Sequence, residues 1–298
     1  MSLVTGTAVS EPPRKWQTVR LRRGWKRFTQ GPLSIVGLAW LIILAVVTLW
    51  GPQIAPYPLA GNIFDGNQAP SWRHLFGTNS VGQDMLTVCM YGIGYTMKIA
   101  VGATATSFAI GVGIGLLAGM AGGWLDHVLM RWTDFMYSFP SFVFAMMLIE
   151  LTGQGILSVI VMLGITQWAG YSRLARGMTL AIRNSELVES GRAIGASSLF
   201  ITTRYVFPQV LSSLIVYTAF FLVNIITLEA MLGIFYGVGP QPPDISFGAL
   251  ILLNTPSVLG FPWLLTMPVL VFISLLVALV LCGEGLQTLL SPKGTMSL

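Results

Sequence analysis

The side chains that could do chemistry in this 298-residue sequence are few: two histidines, two cysteines and eleven carboxylates. A metal site needs several ligands converging at short spacings, and neither His74 nor His127 has a second ligand placed to join it. A catalytic centre needs a nucleophile, a base and an orienting group clustered together, and the sequence offers no such cluster. Nor does it contain a Gly-x-x-x-x-Gly-Lys-Ser/Thr segment to cradle nucleotide phosphates. The chain is therefore expected to hold no metal, no cofactor and no catalytic residue of its own. Two other polar groups stand out. Asp134, Glu150, Glu229 and Glu284 lie within or beside apolar runs, where a carboxylate is costly enough to mark a candidate for function. Glu229 is the deepest, suited to hydrogen bonding between helices or to an external loop, whereas Asp134 falls near the cytosolic headgroups. The second group is the stretch from Arg173 to Arg204, with five basic residues and two acids. Inside it, Ser185 to Ile194 reads as a short helix. Leu187, Val188, Gly191 and Ile194 fall on one side, Glu186, Glu189 and Arg192 mark a charged side, and Gly195 supplies the stop. Periodicity leaves two readings open: a helix lying in the headgroups, or one docking into a groove on another protein.

The elements that must position these residues are apolar. Only 9% of the chain is charged and 54% is hydrophobic, against about 25% charged in an ordinary soluble domain. A water-soluble globule is excluded, and lipid must solvate much of the surface. Charges are absent from Phe28 to Phe64, Ile99 to Leu125, Phe135 to Ile149, Leu151 to Ser172, Tyr205 to Leu228 and Ile245 to Gly283. A span needs about 20 largely apolar residues, so these gaps predict six transmembrane helices, near 33–50, 93–119, 131–151, 156–176, 206–233 and 264–286. The runs are continuous, unlike the alternating segments of about 10 residues in a membrane barrel, and the fold class expected is an all-α membrane protein.

Orientation follows from the placement of Lys and Arg. Arg14, Lys15, Arg20, Arg22, Arg23, Lys26 and Arg27 precede the first span, and Arg131, Arg173, Arg176, Arg183, Arg192, Arg204 and Lys293 fall on the same side, fourteen of the sixteen basic residues. Only Arg73 and Lys98 lie outside or near the outer face, so both termini are expected in the cytosol. The net charge of +5 is then a topology signal, with the basic arm resting on anionic headgroups, and not a nucleic-acid footprint. Trp50-Gly51-Pro52 after the first span is not a small-residue cleavage site, so that span reads as an uncleaved anchor. Cys89 and Cys282 are assigned to opposite membrane faces, too far apart for a disulfide, and the two histidines are likewise divided.

The expected organisation is a basic cytosolic arm (1–32), a first transmembrane helix (33–50), an external loop (51–92), a five-helix core (93–290) and a cytosolic tail (291–298). The core includes a cytosolic loop (178–205) and an external loop (234–263). In the first external loop, Phe76 to Asp84 reads as two turns before a helix, with Asp84 near the first helical turn where its charge suits the dipole. Small residues recur in the second span at Gly102, Ala105, Gly111, Gly113, Gly115, Gly119 and Gly122. They allow close helix packing, or a sliding surface.

The segment Glu189-Ser190-Gly191, with Gly195 six residues after the glutamate and Tyr205-Val206-Phe207-Pro208 beyond, resembles the EAA loop of ABC-importer permeases. That pattern is Glu-Ala-Ala, three residues, Gly, nine residues, then Ile-x-Leu-Pro. Ser190 and Gly191 replace its alanines, and Tyr205 and Phe207 its aliphatics. An ordered series of further matches, spanning roughly residues 33 to 293, is similar to the second permease subunit of dipeptide and oligopeptide importers. Phe76-Gly77-Thr78-Asn79 to Gly82-Gln83-Asp84 looks like the family's LGTD…GRD, with Gln83 for arginine. Met130-Arg131-Trp132-Thr133-Asp134 to Pro140 resembles its MR…D…P, and Ser172-Arg173-Leu174-Ala175-Arg176-Gly177 its AR-x-x-RG. Leu228-Glu229-Ala230, Gly237-Val238-Gly239 to Gln241-Pro242-Pro243, and Gly283-Glu284-Gly285-Leu286 to Ser291-Pro292 complete the series.

The resemblance implies half of a translocation pathway in a bacterial or archaeal plasma membrane. The other half would be a homologous second permease. Two cytosolic ATPases would bind ATP and Mg and drive transport, and an external binding protein would deliver a peptide. It also implies that Glu186, Leu187, Val188, Glu189, Gly191, Arg192, Ile194 and Gly195 couple to the ATPases. Nickel-chelate, glutathione, antimicrobial-peptide and sugar cargo fit the same pattern. The different-class rival, a self-sufficient secondary transporter or channel, would carry its own ion site near mid-membrane on broken helices in inverted repeats, and no convincing repeat is present.

Overall fold

The computed structural model describes residues 32–62, 65–153, 155–237 and 245–290. The basic arm, the Gln241-Pro242-Pro243 segment, Ser291-Pro292 and Lys293 lie outside the described residues. Helix α1, Pro32–Ile54, opens on a proline whose missing N–H is tolerated in a first turn. Only Gly37, Leu44 and Gly51 of it are buried, while Leu33, Val36, Ile42 and Leu49 face outward. Apolar side chains so arranged have lipid as their solvent.

Helix α2, Met85–Ala121, has 37 residues, about 55 Å at 1.5 Å per residue, and starts eight residues before the expected span. Asp84 is the reason: its backbone is extended and its carboxylate accepts a hydrogen bond from Thr87 N at 2.9 Å, closing the first turn. The non-helical part of the expected 51–92 loop therefore ends at Asp84. The expected straight span at 131–151 is instead two helices, α3 (Gly123–Ser138) and α4 (Ser141–Thr152), meeting at 85°. Pro140 forces the break: it cannot donate to a helix ladder, and it holds the preceding Phe139 extended, at φ −76° and ψ 136°.

The expected span at 156–176 is also divided, into α5 (Ile156–Gln167) and α6 (Ala169–Ile182), with Trp168 between them. Helices α7 (Glu186–Ala193) and α8 (Ser198–Ile201) follow, then a π turn at Thr202–Val206 that leads into α9, Phe207–Tyr236. Helix α10, Phe247–Asn254, stands where the sequence suggested only an external loop, with Phe247 fully buried. Helix α11, Trp263–Leu290, ends the described chain. No strand occurs among the described residues, apart from a single bridge between Thr78 and Asp84. Among those residues four helical stretches are long and apolar enough to cross a membrane, and the bent α3–α4 pair makes a fifth if taken as one span.

Helix α2 is the centre of the packing, with α6 and α5 laid against it and α1, α9 and α11 around it. Gly111, Gly115 and Gly119 form the seam with α6. A Cβ added at Gly111 would stand 2.3 Å from Trp168 O, at Gly115 2.4 Å from Ser172 O, and at Gly119 2.6 Å from Thr179 Cβ. The repeat of four residues puts the bare backbone of α2 against α6 over two turns, the small-residue geometry by which helices pack in lipid. Gly113, on another face, meets open space.

Candidate functional site

Helix α7 runs from Glu186 to Ala193, within the stretch that periodicity marked. Glu186 and Glu189 occupy its first turn and Arg192 its last, each with the sign that suits the helix dipole. Its end is a Schellman reversal. Gly195 N–H bonds Arg192 O at 2.9 Å, Ala196 N–H bonds Gly191 O at 3.0 Å, and Gly195 takes φ +80°. Ser197 then caps α8 through Phe200 N at 3.3 Å. The two short helices and the π turn form a knob.

The four apolar positions of α7 do not share one environment. Val188 is fully buried and Gly191 lies under Tyr205 and Ile201, so both hold the knob to its own chain. Leu187 and Ile194 point outward, 51% and 80% exposed, joined by Leu199 at 74% and Phe200 at 48%. Glu186, Glu189, Arg192 and Gly195 are exposed with them. Leu199 and Phe200 were not singled out in the sequence. The signal for them is the Ser197 cap followed at once by an apolar run too short to bury itself.

Two ion pairs join α6, the helix feeding the knob, to α3. Arg176 grips Asp126 with two hydrogen bonds, Nε at 2.6 Å and Nη2 at 2.7 Å, and the Asp126 side chain is nearly buried. Arg173 Nη2 reaches Asp134 at 2.7 Å with both side chains half exposed, and its guanidinium covers the Tyr137 ring at 4.2 Å. Arg183 adds a hydrogen bond to Gly119 O at 3.2 Å, at the end of α2. Asp134, expected near the cytosolic headgroups, is paired with Arg173, and Asp126 was not singled out at all.

Glu229 lies buried on α9. Its Oε2 accepts a hydrogen bond from Thr96 Oγ1 of α2 at 3.3 Å, and Thr96 Oγ1 in turn accepts from Phe247 N at 3.4 Å, at the start of α10. The side chain of Ser246 joins the same cluster. Glu229 therefore stands where α2, α9 and α10 meet. Glu150 and Glu284 are exposed. In the segment before α2, Asn79 Oδ1 accepts from Val81 N and Gln83 N, at 3.2 and 2.9 Å, Gln83 Nε2 donates to Leu59 O at 2.8 Å, and His74 Nδ1 meets Asp84 at 3.0 Å. Gly82, at φ +76°, lies directly on the Asn62 backbone. The Phe76–Asp84 motif is the knot that folds this segment. Among the described residues no group of three or more His, Cys, Asp or Glu is placed to hold a metal ion.

Residues 111–295, which take in α3 to α11 with the knob, match the family described as the binding-protein-dependent transport system inner membrane component. The chain belongs to this family. Residues 20–70 match the N-terminal TM domain of oligopeptide transport permease C, so the likeness to oligopeptide permeases extends to the first helix. The permease is 34% identical over 272 residues to the glutathione transport system permease protein GsiD of Shigella dysenteriae, covering 90% of this chain and 89% of that one. It is also 34% identical over 270 residues to the oligopeptide transport system permease protein OppC of Mycobacterium bovis, covering 90% and 92%. A chain of the MetNI methionine ABC transporter, solved in inward-facing conformations, superposes with a TM-score of 0.58 at 18% identity, covering 67% of this permease and 94% of that chain. That likeness establishes the shared fold. The permease is thus a membrane-integral transport subunit, and its membership of a family described as binding-protein-dependent sets aside the self-sufficient transporter.

Proposed function

We propose that this permease is half of the translocation pathway of an ABC importer for di- or oligopeptides in the bacterial inner membrane. It crosses the bilayer six times with both termini in the cytosol, α3–α4 and α5–α6 each serving as one interrupted span. A homologous permease forms the other half, two cytosolic ATPases supply ATP hydrolysis with Mg, and an external binding protein delivers cargo. The basic arm (1–32) and the tail (291–298) lie on the cytosolic side, and the segment before α2 and the 234–263 region lie outside.

The observation that carries this reading is the knob. Its inner residues, Val188 and Gly191, fix it to the chain, while Leu187, Ile194, Leu199 and Phe200 stand in the open beside Glu189 and Arg192. An apolar cluster rimmed by charge is the surface a helix-in-groove partner takes, and the charges set register. Docked on an ATPase, the knob passes nucleotide-driven closure through α6 to the rest of the bundle. Asp134 braces α3 against α6 from the side, and Glu229 fixes the α2–α9–α10 junction by hydrogen bonding.

Equal identity to a glutathione permease and an oligopeptide permease favours glutathione as the second cargo reading. Uptake by the complete importer in proteoliposomes separates them. ATP-driven accumulation of a labelled tripeptide that unlabelled glutathione does not displace is the expected result. Accumulation of glutathione alone would replace the peptide reading, and accumulation of either without ATP would reject the importer.

A further inference from the structure

Two departures of the knob from the EAA pattern fall at one place in space. Gly191 stands where the pattern has alanine, and Tyr205 where it has isoleucine. A Cβ added at Gly191 would lie 3.2 Å from Cε2 of the Tyr205 ring and 3.5 Å from Cγ1 of Ile201, so the bare turn of α7 is the seat on which the ring rests. The same ring meets Phe200 of α8 edge to face, with centroids 5.8 Å apart and planes at 85°. Tyr205, half-buried, therefore touches both short helices of the knob.

Tyr205 belongs to the π turn at Thr202–Val206, where Phe207 N–H bonds Thr202 O in place of the α-helical partner. Pro208 follows with no N–H to close an α turn, and Gln209 Nε2 donates to Tyr205 O at 2.8 Å. Beyond the turn, α9 continues unbroken for 30 residues, about 45 Å, as far as the junction that holds Glu229. Helix α7 packs against α8 and the π turn, with Val188, Ile201 and Val206 buried between them and α9. Its neighbour in sequence, α6, is parted from α5 at Trp168. A displacement of the knob that enters α9 moves a continuous rod, whereas one that enters α6 meets a joint.

We propose that Gly191 and Tyr205 are a matched pair fixing the knob to the foot of α9, with Tyr205 the positioning residue through which the stroke enters α9 beside the path through α6. The proposal rests on the coupling reading of the knob and extends it from the surface that meets the ATPase to the link behind that surface.

The test measures trialanine imported per ATP hydrolysed by the complete importer in proteoliposomes with loaded binding protein. Loss of folded complexes lowers uptake and hydrolysis together and leaves this ratio unchanged, so a purely structural role does not move it. Tyr205→Ile leaves the seat empty, and the ratio is expected to fall about fivefold, the factor that one lost aromatic packing contact commands. Adding Gly191→Ala to that variant refills the seat and is expected to restore most of the loss, and Tyr205→Phe, which keeps the ring, is expected to keep the ratio. Gly191→Ala alone crowds the ring and is expected to lower the ratio about twofold; it serves if Tyr205→Ile fails to assemble. An unchanged ratio in Tyr205→Ile, or in Gly191→Ala where Tyr205→Ile does not assemble, overturns the proposal. A double variant no better than Tyr205→Ile, or a Tyr205→Phe permease as impaired as Tyr205→Ile, overturns it too. An unaltered complex that imports no trialanine with ATP would instead reject the peptide-importer reading.

Discussion

Gly195→Val is expected to abolish stimulation of ATP hydrolysis by the loaded binding protein, while the permease still inserts and assembles. The reason lies in the backbone. Gly195 takes φ +80° as the C′ residue of the reversal that ends α7, a conformation that costs a β-branched residue about 1–3 kcal/mol. A Cβ at this position would meet no atom within 4 Å, so the penalty comes from chain conformation and not from a clash. Relief of that strain unwinds the last turn of α7 and moves Ile194 and Leu199 apart, removing the surface that transmits the stroke. Asparagine tolerates the left-handed region, so Gly195→Asn should retain most of the stimulation. Hydrolysis by the assembled complex, with and without loaded binding protein, reads both variants. Stimulation of Gly195→Val equal to that of the unaltered complex would reject a coupling role for the knob.

The second large effect is expected at Arg176. Its two hydrogen bonds to Asp126 are the geometry that only a guanidinium provides. Removing it leaves a carboxylate side chain only 9% exposed without its partner. Stranding a buried charge costs about 3–5 kcal/mol, and since the Arg176 side chain is one-third exposed, Arg176→Ala is expected to cost about 2–4 kcal/mol. Arg176→Lys should fall between, and Arg176→Gln combined with Asp126→Asn should recover much of the loss, because no unpaired charge remains. Thermal unfolding of the detergent-solubilised complex measures all three. An Arg176→Ala complex as stable as the unaltered one would show that the α3–α6 brace contributes little.

What could be read in the sequence divides along physical lines. Helix α7 was legible because its apolar and charged positions repeat at helical spacing and Gly195 punctuates them. The α2 start was half legible. Asp84 carries the cap signal, but Lys98 cuts the apolar run that follows it, leaving before it a charge-free stretch too short to count as a span. The α3–α4 bend is written in Pro140, yet a hydropathy reading treats proline as one more uncharged residue. Helix α10 was hidden for a related reason: it sits inside the unbroken charge-free stretch that also contains most of α11, and nothing in composition separates a buried short helix from a loop beside a span.

The candidate site was legible in its residues but not in its facing. Spacing put Leu187, Val188, Gly191 and Ile194 on one stripe, and only the return of the chain through α8 and the π turn assigns Val188 and Gly191 to the interior. The Asp126–Arg176 pair could not be read at all, since its members are 50 residues apart and meet only because Gly111, Gly115 and Gly119 let α6 lie against α2.

The claim on which everything else depends is that the knob faces the cytosol and is held by an ATPase. Leu199→Cys, at a largely exposed position of the knob, can be tested in inverted membrane vesicles with a short bifunctional thiol reagent. The account predicts a covalent adduct between this permease and an ATP-hydrolysing subunit, with a yield that differs between ATP and ADP. Labelling of the same cysteine by a membrane-impermeant reagent from the outside of intact cells, or no adduct under either nucleotide, would contradict it.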